Sequence, residues 1–286
     1  MAPTDATYAV TGASGRLGGR IARLLADAGI PQTLLARTPE RAPRLPGAAV
    51  VAGAYGDHDA VVDGLRGIDR VLMVSASEAP DRLQQHRAFI DSLVEAGVVH
   101  LVYISFFGAA PDATFTLARD HWHTEQHIRS SGLAHTVLRD NLYADFMPAL
   151  VGDDGMIRGP GGTGRAAVVA QDDIAAAAVA VLTRADEHAG ARYDLTGPQA
   201  LSLADMADIL TRATGRTVGY EPETVEEAYR SRSSYGAPDW QLDAWVSTYT
   251  AIAAGELDGV TDAVPRLTGR PATSLADLLA RGGSAY

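Results

Sequence analysis

Three glycines near the start of the chain, Gly12, Gly15 and Gly18, are spaced three residues apart. The stretch before them, Ala6-Thr7-Tyr8-Ala9-Val10-Thr11, reads as a strand, and Ile21, Leu24, Leu25 and Ala28 after them follow helical spacing. A strand, a glycine turn and a helix in that order are what a dinucleotide pyrophosphate needs. Gly12 permits the tight turn, Gly15 lets the backbone approach a phosphate, and Gly18 lets the helix lie close to the strand. The helix N-terminus then offers free N–H groups and a partial positive charge. The phosphate-side candidates are therefore Gly12, Ser14, Gly15, Arg16 and Leu17.

A second candidate lies at the end of the next strand, Gln32 to Ala36, where Arg37 follows. An acid at this place would bind a ribose 2′-hydroxyl, whereas a guanidinium suits a 2′-phosphate. Arg37 in the absence of an acid beside it predicts NADP(H) rather than NAD(H), and Arg16 can add a second positive charge.

Composition removes much of the remaining chemistry. The chain has 286 residues, no cysteine and no lysine, so all 24 of its Lys and Arg residues are arginine. Disulfides, thiolate nucleophiles, a P-loop and Schiff-base chemistry are excluded, as is the Tyr-x-x-x-Lys pair that most short-chain dehydrogenases use for proton transfer. A net charge of −11 argues against nucleic acid as a partner. No apolar run approaches a membrane span and no leader-like start is present, so a cytoplasmic protein is expected. His123 and His127 share a helix face as zinc ligands can, but the intervening Glu125 is misplaced for a zincin and no third ligand is evident, so no metal is expected.

The elements that must position these residues alternate. Strands are predicted at Ala48 to Ala52, Val71 to Ser75, His100 to Ser105 and Ala134 to Arg139. Helices are predicted at Asp57 to Leu65, Asp81 to Ala96 (burying Leu83, Phe89, Ile90, Leu93 and Val94) and Thr116 to Ser130. The expectation is an α/β, Rossmann-type doubly wound parallel sheet of order 3-2-1-4-5-6, with room for an extra strand. Ligands lie along the carboxyl ends of such strands, where the small residues Ser75, Ala76 and Ser77 leave room for ribose and nicotinamide. Residues 1–150 are expected to form the NADP-binding domain, and 151–286 a smaller, mainly helical substrate-binding cap. In that second part Gly152 to Gly164 reads as a loop or hairpin, Asp172 and Asp173 as caps of a helix from Ile174 to Leu182, and Tyr193 to Thr196 as a short strand. Further helices are predicted at Ser202 to Thr214, Glu223 to Arg232, Trp240 to Ala254 and from Ser274.

Several stretches together resemble the NmrA-like atypical short-chain dehydrogenases, in the branch of type 2 NADPH:quinone oxidoreductases and triphenylmethane reductase. Thr11 to Gly18 is similar to the TGATGxLG loop, and Ser75-Ala-Ser-Glu78 with Gln85-His86 to the SSSE…QH element. Ala96 to Ser105 is similar to AGVKxIxYTS, Leu117 to Glu125 to LAxxHxxTE, and Leu138 to Tyr143 to LRNxxY. The segments Ala251 to Glu256 and Leu267 to Pro271 also resemble triphenylmethane reductase. The resemblance implies NADPH held by the glycine loop and Arg37, and hydride transfer without a Tyr-Lys pair; Ser105, at the end of its strand, is a further cofactor-side candidate. Three positions depart from the family pattern: Ala54 replaces an Asp near the adenine, Asp140 replaces the Asn of LRN with Asn141 following, and Phe106-Phe107 replaces smaller residues.

The missing lysine has a chemical meaning. Reduction of a simple ketone gives an alkoxide that demands a general acid. Reduction of a quinone gives a delocalised anion of basicity near that of tyrosine, pKa ~10, and a triarylmethane cation needs no proton at all. Such acceptors require proximity and stacking on the nicotinamide. The catalytic candidates are His121, which the resemblance places near the usual catalytic pair, and Tyr143, whose hydroxyl can meet an acceptor oxygen. His121 can instead bind ribose or be an ordinary helix-surface histidine, and Tyr143 can be an ordinary packed tyrosine. Phe106, Phe107, Asn141, Tyr143 and Phe146 are the acceptor-side candidates, with Met147 and Trp122 as further members of an apolar wall. The expected function is NADPH-dependent hydride transfer to a quinone or similar conjugated acceptor. The alternatives are a non-catalytic NADP-binding redox sensor and a pathway-specific reductase of an aromatic natural product. The oligomeric state stays open, a homodimer included.

Overall fold

A computed structural model describes residues 7–282. The chain runs β1 (Tyr8–Thr11), α1 (Arg16–Asp27), β2 (Gln32–Ala36), β3 (Ala48–Ala52), α2 (His58–Leu65), β4 (Arg70–Val74), α3 (Arg82–Ala96), β5 (His100–Phe106), α4 (Thr116–Ser131) and β6 (Ala134–Asp140). It continues through β7 (Met156–Gly159), β8 (Arg165–Ala166), α5 (Gln171–Thr183), β9 (Arg192–Leu195), β10 (Leu201–Ser202) and α6 (Leu203–Thr214). The last elements are β11 (Gly219–Pro222), α7 (Val225–Ser233), α8 (Asp239–Ala253), α9 (Ala263–Thr268) and α10 (Leu275–Ala280). No helix among the described residues is long and apolar enough to cross a membrane.

Seven strands form the main sheet in the order β3-β2-β1-β4-β5-β6-β9, and the pairs β1–β2, β2–β3, β1–β4 and β4–β5 are parallel. The expected order is borne out, and β9 is the extra strand. The order reverses at β1, the switch point at which such sheets bind dinucleotides.

Two compact units divide the chain. One takes the residues up to Ser105, Asp120–Arg139 and Ile174–Tyr193; the other takes Phe106–Arg119, Asp140–Asp173 and the residues from Asp194 onward. The first is built on buried Val71, Met73, Phe89, Leu93, Leu101 and Tyr103, and the second on buried Met147, Ile157, Val168, Met206, Leu210 and Ile252.

Three local expectations are corrected and a fourth is extended. Val94 faces solvent, 45% exposed, because the buried stripe of α3 steps through Arg82, His86, Phe89 and Leu93. The helix expected from Ile174 begins at Gln171, whose N–H donates to Asp145 Oδ2 at 2.8 Å. Asp173 does not cap it, because its buried carboxylate accepts from Thr273 N–H at 2.6 Å and Thr273 Oγ1 at 3.1 Å. The Gly152–Gly164 segment, expected as a loop or hairpin, does turn back on itself, with Gly152 N–H on Met156 O at 2.9 Å and Val151 bridging Ile157 antiparallel, and its β7 also pairs in parallel with the distant β11.

The contact of α1 with β1 depends on Gly18, where a Cβ would stand 2.4 Å from Gly12 O and 2.8 Å from Thr11 O. Backbone on both sides leaves nothing that can rotate away. Gly18→Ala is therefore expected to destabilise the protein by about 1–3 kcal/mol, read as a lower Tm in thermal unfolding; an unchanged Tm would contradict the close packing.

Candidate functional site

In the first unit, β1 is followed by Gly12 at φ +66°, a conformation L side chains rarely adopt, and Gly15 N–H closes the turn on Gly12 O at 2.9 Å. Gly15 then caps α1 without a side-chain hydrogen bond, and the first turn of α1 carries no acid. Ser14, Gly15 and Arg16 are exposed, while Leu17 packs inward. The donors that start α1 thus meet no carboxylate of their own helix, the condition a pyrophosphate requires.

The strand register places Arg37. Thr11 pairs with Leu35, so Gly12 sits beside the end of β2 and Arg37 follows. Its side chain is exposed and has no ion pair or hydrogen bond among the described residues. Across β1 the other way, Val74 pairs with Ile104, which brings Ser75 beside Ser105 at the carboxyl ends of β4 and β5. The residues present therefore fit a 2′-phosphorylated dinucleotide: a donor-lined turn, a cation beyond β2 and small residues beyond β4.

Behind Ser75–Ser77 lies a buried polar network. His86 Nε2 accepts from Ala76 N–H at 2.9 Å, and Arg82 Nε donates to Ala76 O at 2.9 Å. Arg82 Nη2 meets His121 Nε2 at 2.9 Å, and its Nη1 lies 3.4 Å from Asp120 Oδ2. A guanidinium and a peptide N–H only donate, so Nε2 of both histidines is the bare nitrogen and Nδ1 carries the proton. His121 Nδ1–H then donates to Tyr103 Oη at 2.9 Å, and His86 Nδ1–H to Thr124 Oγ1 at 2.9 Å, which itself donates to Asp120 O at 2.7 Å. Both ring nitrogens of His121 are thus engaged. Next to this network, Glu125 receives two hydrogen bonds of 2.8 Å from Arg139 and one of 2.7 Å from Ser105 Oγ.

Burial holds both imidazoles neutral. His86 and His121 are kept well below the ordinary histidine range, first by desolvation and then by the Arg82 charge. His100, elsewhere in the same unit, is lowered to about 4 by burial and by Arg70. These groups bind protons less readily folded than unfolded. Above the unfolded value of ~6.5 they are neutral in both states; below it the unfolded chain takes up protons first, and stability falls. Between about pH 7 and about pH 5, His100 alone is expected to remove at most about 2 kcal/mol. A Tm that is flat or rising over that acid interval would contradict the neutral, buried assignment.

In the second unit, Tyr143 Oη donates to Asp140 Oδ2 at 2.8 Å, and the Tyr143 ring stacks on Phe146 at 5.8 Å with 19° between planes. Phe146 is 40% exposed, so the pair offers a flat aromatic surface. Asn141 is buried: its Nδ2 donates to Leu257 O at 3.0 Å and its Oδ1 accepts from Leu142 N–H at 2.8 Å. Phe106 is buried edge-on against Phe115 at 4.9 Å, Phe107 packs over Gly259, and Met147 lies in the core. Asp140, Tyr143 and Phe146 are thus brought together, while Phe106, Asn141 and Met147 build the interior of the unit. In the first unit Trp122 is half-buried, edge-on to His123, and His127 Nε2 lies 2.7 Å from Asp91. No group of three metal-ligating side chains occurs among the described residues.

Sequence reasoning gave no place to Arg82, and it quoted His86, Tyr103 and Thr124 only inside the family-like stretches, with no role for any of them. Arg82 and His86 stood in the apolar stripe of α3 at the spacing of Phe89 and Leu93, and a polar residue in such a stripe is the available signal.

Residues 12–185 match a family model described as NAD(P)H-binding. The NAD(P)H azoreductase of Xenophilus azovorans is 33% identical over 97% of this chain and 98% of its own. The NADPH-dependent quinone oxidoreductase of Escherichia coli, solved with NADPH, is 30% identical at a TM-score of 0.88, covering 97% of this chain and 100% of that one. The triphenylmethane reductase of Citrobacter sp. is 28% identical at a TM-score of 0.85, covering 96% and 98%.

Proposed function

The chain belongs to the NAD(P)H-binding family, and from that premise we propose that it is an NADPH-dependent reductase of quinones and similar conjugated acceptors. The observation that carries this reading is the pairing of a nucleotide loop with a chain that has no lysine and whose His121 has both ring nitrogens engaged. Neither supplies the strong general acid that an alkoxide product needs. The relatives are named for azo, quinone and triphenylmethane acceptors, all of them conjugated.

NADPH, when bound, supplies the hydride. The glycine turn (Gly12, Ser14, Gly15, Arg16, Leu17) would hold the pyrophosphate, Arg37 the 2′-phosphate, and Ser75–Ser77 would border the nicotinamide half, while Ser105 is fully buried and tied to Glu125. Tyr143 and Phe146 offer aromatic surface to a flat acceptor, and the Tyr143 hydroxyl, whose proton goes to Asp140 Oδ2 in the free protein, turns it to an acceptor oxygen once one is bound. His121 serves by holding Arg82 rather than by donating its own proton.

Transfer from NADPH labelled with deuterium at C4 tests the reading. With a triarylmethane dye the label is expected at the central carbon of the colourless product, and label lost to solvent would contradict direct hydride transfer. Tyr143→Phe removes one hydroxyl, and a quinone is expected to lose about tenfold in kcat/KM while the cationic dye changes little. Equal losses for both acceptors would contradict a role at the acceptor oxygen.

A further inference from the structure

Ala76 is held in an unusual way for a loop residue. Its N–H and its C=O are both bound by side chains of α3, at 2.9 Å each, from His86 and Arg82. These side chains are 0% and 4% exposed. They are held in turn from α4, His86 by Thr124 and Arg82 by His121, while Tyr103 of β5 fixes the far side of the His121 ring. Burying a guanidinium and two imidazoles is costly unless every polar atom is satisfied, and packing α3 against α4 does not need them. What the network adds over apolar residues is one fixed orientation for the Ala76 peptide, and with it the directions of Ser75 and Ser77.

The position of that peptide matters. Arg37, beyond β2, marks the adenosine side of the switch point at β1, so the other mononucleotide half lies toward β4 and β5. Ala76 is two residues beyond the end of β4. We infer that Arg82 and His86 are positioning residues that clamp the Ala76 peptide and so preset the nicotinamide-side wall of the NADPH site. The clamp touches no cofactor atom itself; it acts through the loop. It rests on NADPH binding along these strand ends but not on the identity of the acceptor.

The test separates the two halves of the cofactor. His86→Leu removes the acceptor for Ala76 N–H, and His86→Gln places an amide oxygen where Nε2 stood. Affinity is measured in the whole protein without any acceptor, for NADPH and for 2′,5′-ADP, which lacks the nicotinamide half. With His86→Leu, NADPH is expected to bind at least about tenfold more weakly while 2′,5′-ADP changes less than about twofold, and His86→Gln is expected to recover most of the loss. Arg82→Lys, which keeps a charge but loses the Nε–H donor to Ala76 O, is expected to show the same selective loss and serves should His86→Leu not fold. Equal weakening of both ligands, or unchanged NADPH affinity in a folded variant, would overturn the clamp. Failure of the parent protein to reduce any acceptor would leave these binding ratios intact, so the two proposals fail separately.

Discussion

Arg37→Asp is expected to lower kcat/KM for NADPH by about a hundredfold and to leave NADH nearly unaffected. Arg37 follows the end of β2, exposed and without an ion pair among the described residues, where register sets it beside Gly12. A guanidinium on a phosphate is a charge-assisted, often bidentate contact, worth about 1.5–3 kcal/mol in the balance with water. Replacing it by a carboxylate removes the contact and adds repulsion of a doubly charged group, while a ribose 2′-hydroxyl can still be accepted. The measurement is the ratio of the two specificity constants at fixed ionic strength, since an exposed pair is screened by salt. A parallel loss for both cofactors would mean that Arg37 acts on the fold and not on the 2′-phosphate.

Glu125→Leu is expected to cost about 3–5 kcal/mol of stability. Glu125 is fully buried, takes both of its Arg139 hydrogen bonds at 2.8 Å and also receives Ser105 Oγ at 2.7 Å. Its loss leaves the Arg139 guanidinium, 8% exposed, with an uncompensated charge. By contrast Asp91→Ala removes an exposed partner of His127 and is expected to stay below about 1 kcal/mol. Chemical denaturation of the two variants side by side checks the contrast, and comparable losses would contradict it.

The strand–glycine–helix start, the sheet order and the place of Arg37 were legible because each rests on local signals: β-branched runs, helical spacing and a turn that only glycine fits. The starting point of α5 was not, because Asp172 and Asp173 look like caps until Thr273, a hundred residues away, claims one of them. The pairing of β7 with β11 is equally non-local. Ser75–Ser77 could be picked out as candidates from their position past a buried strand, but the hydrogen-bond network behind them could not. Arg82, His86 and His121 are polar residues on otherwise apolar faces, and their partners lie on separate elements. His121 stood out as a chemical group; its hydrogen bonds to Arg82 and Tyr103 depend on contacts that spacing does not encode.

The most direct test of the reductase assignment is NADPH oxidation followed in one panel: a benzoquinone, a naphthoquinone, a triarylmethane dye and a simple aliphatic ketone. Turnover is expected with the first three, NADPH being preferred over NADH, and none with the ketone. Reduction of the ketone at a comparable rate would require a general acid that the lysine-free chain does not evidently supply, and saturable NADPH binding with no turnover of any conjugated acceptor would point to a binding protein instead.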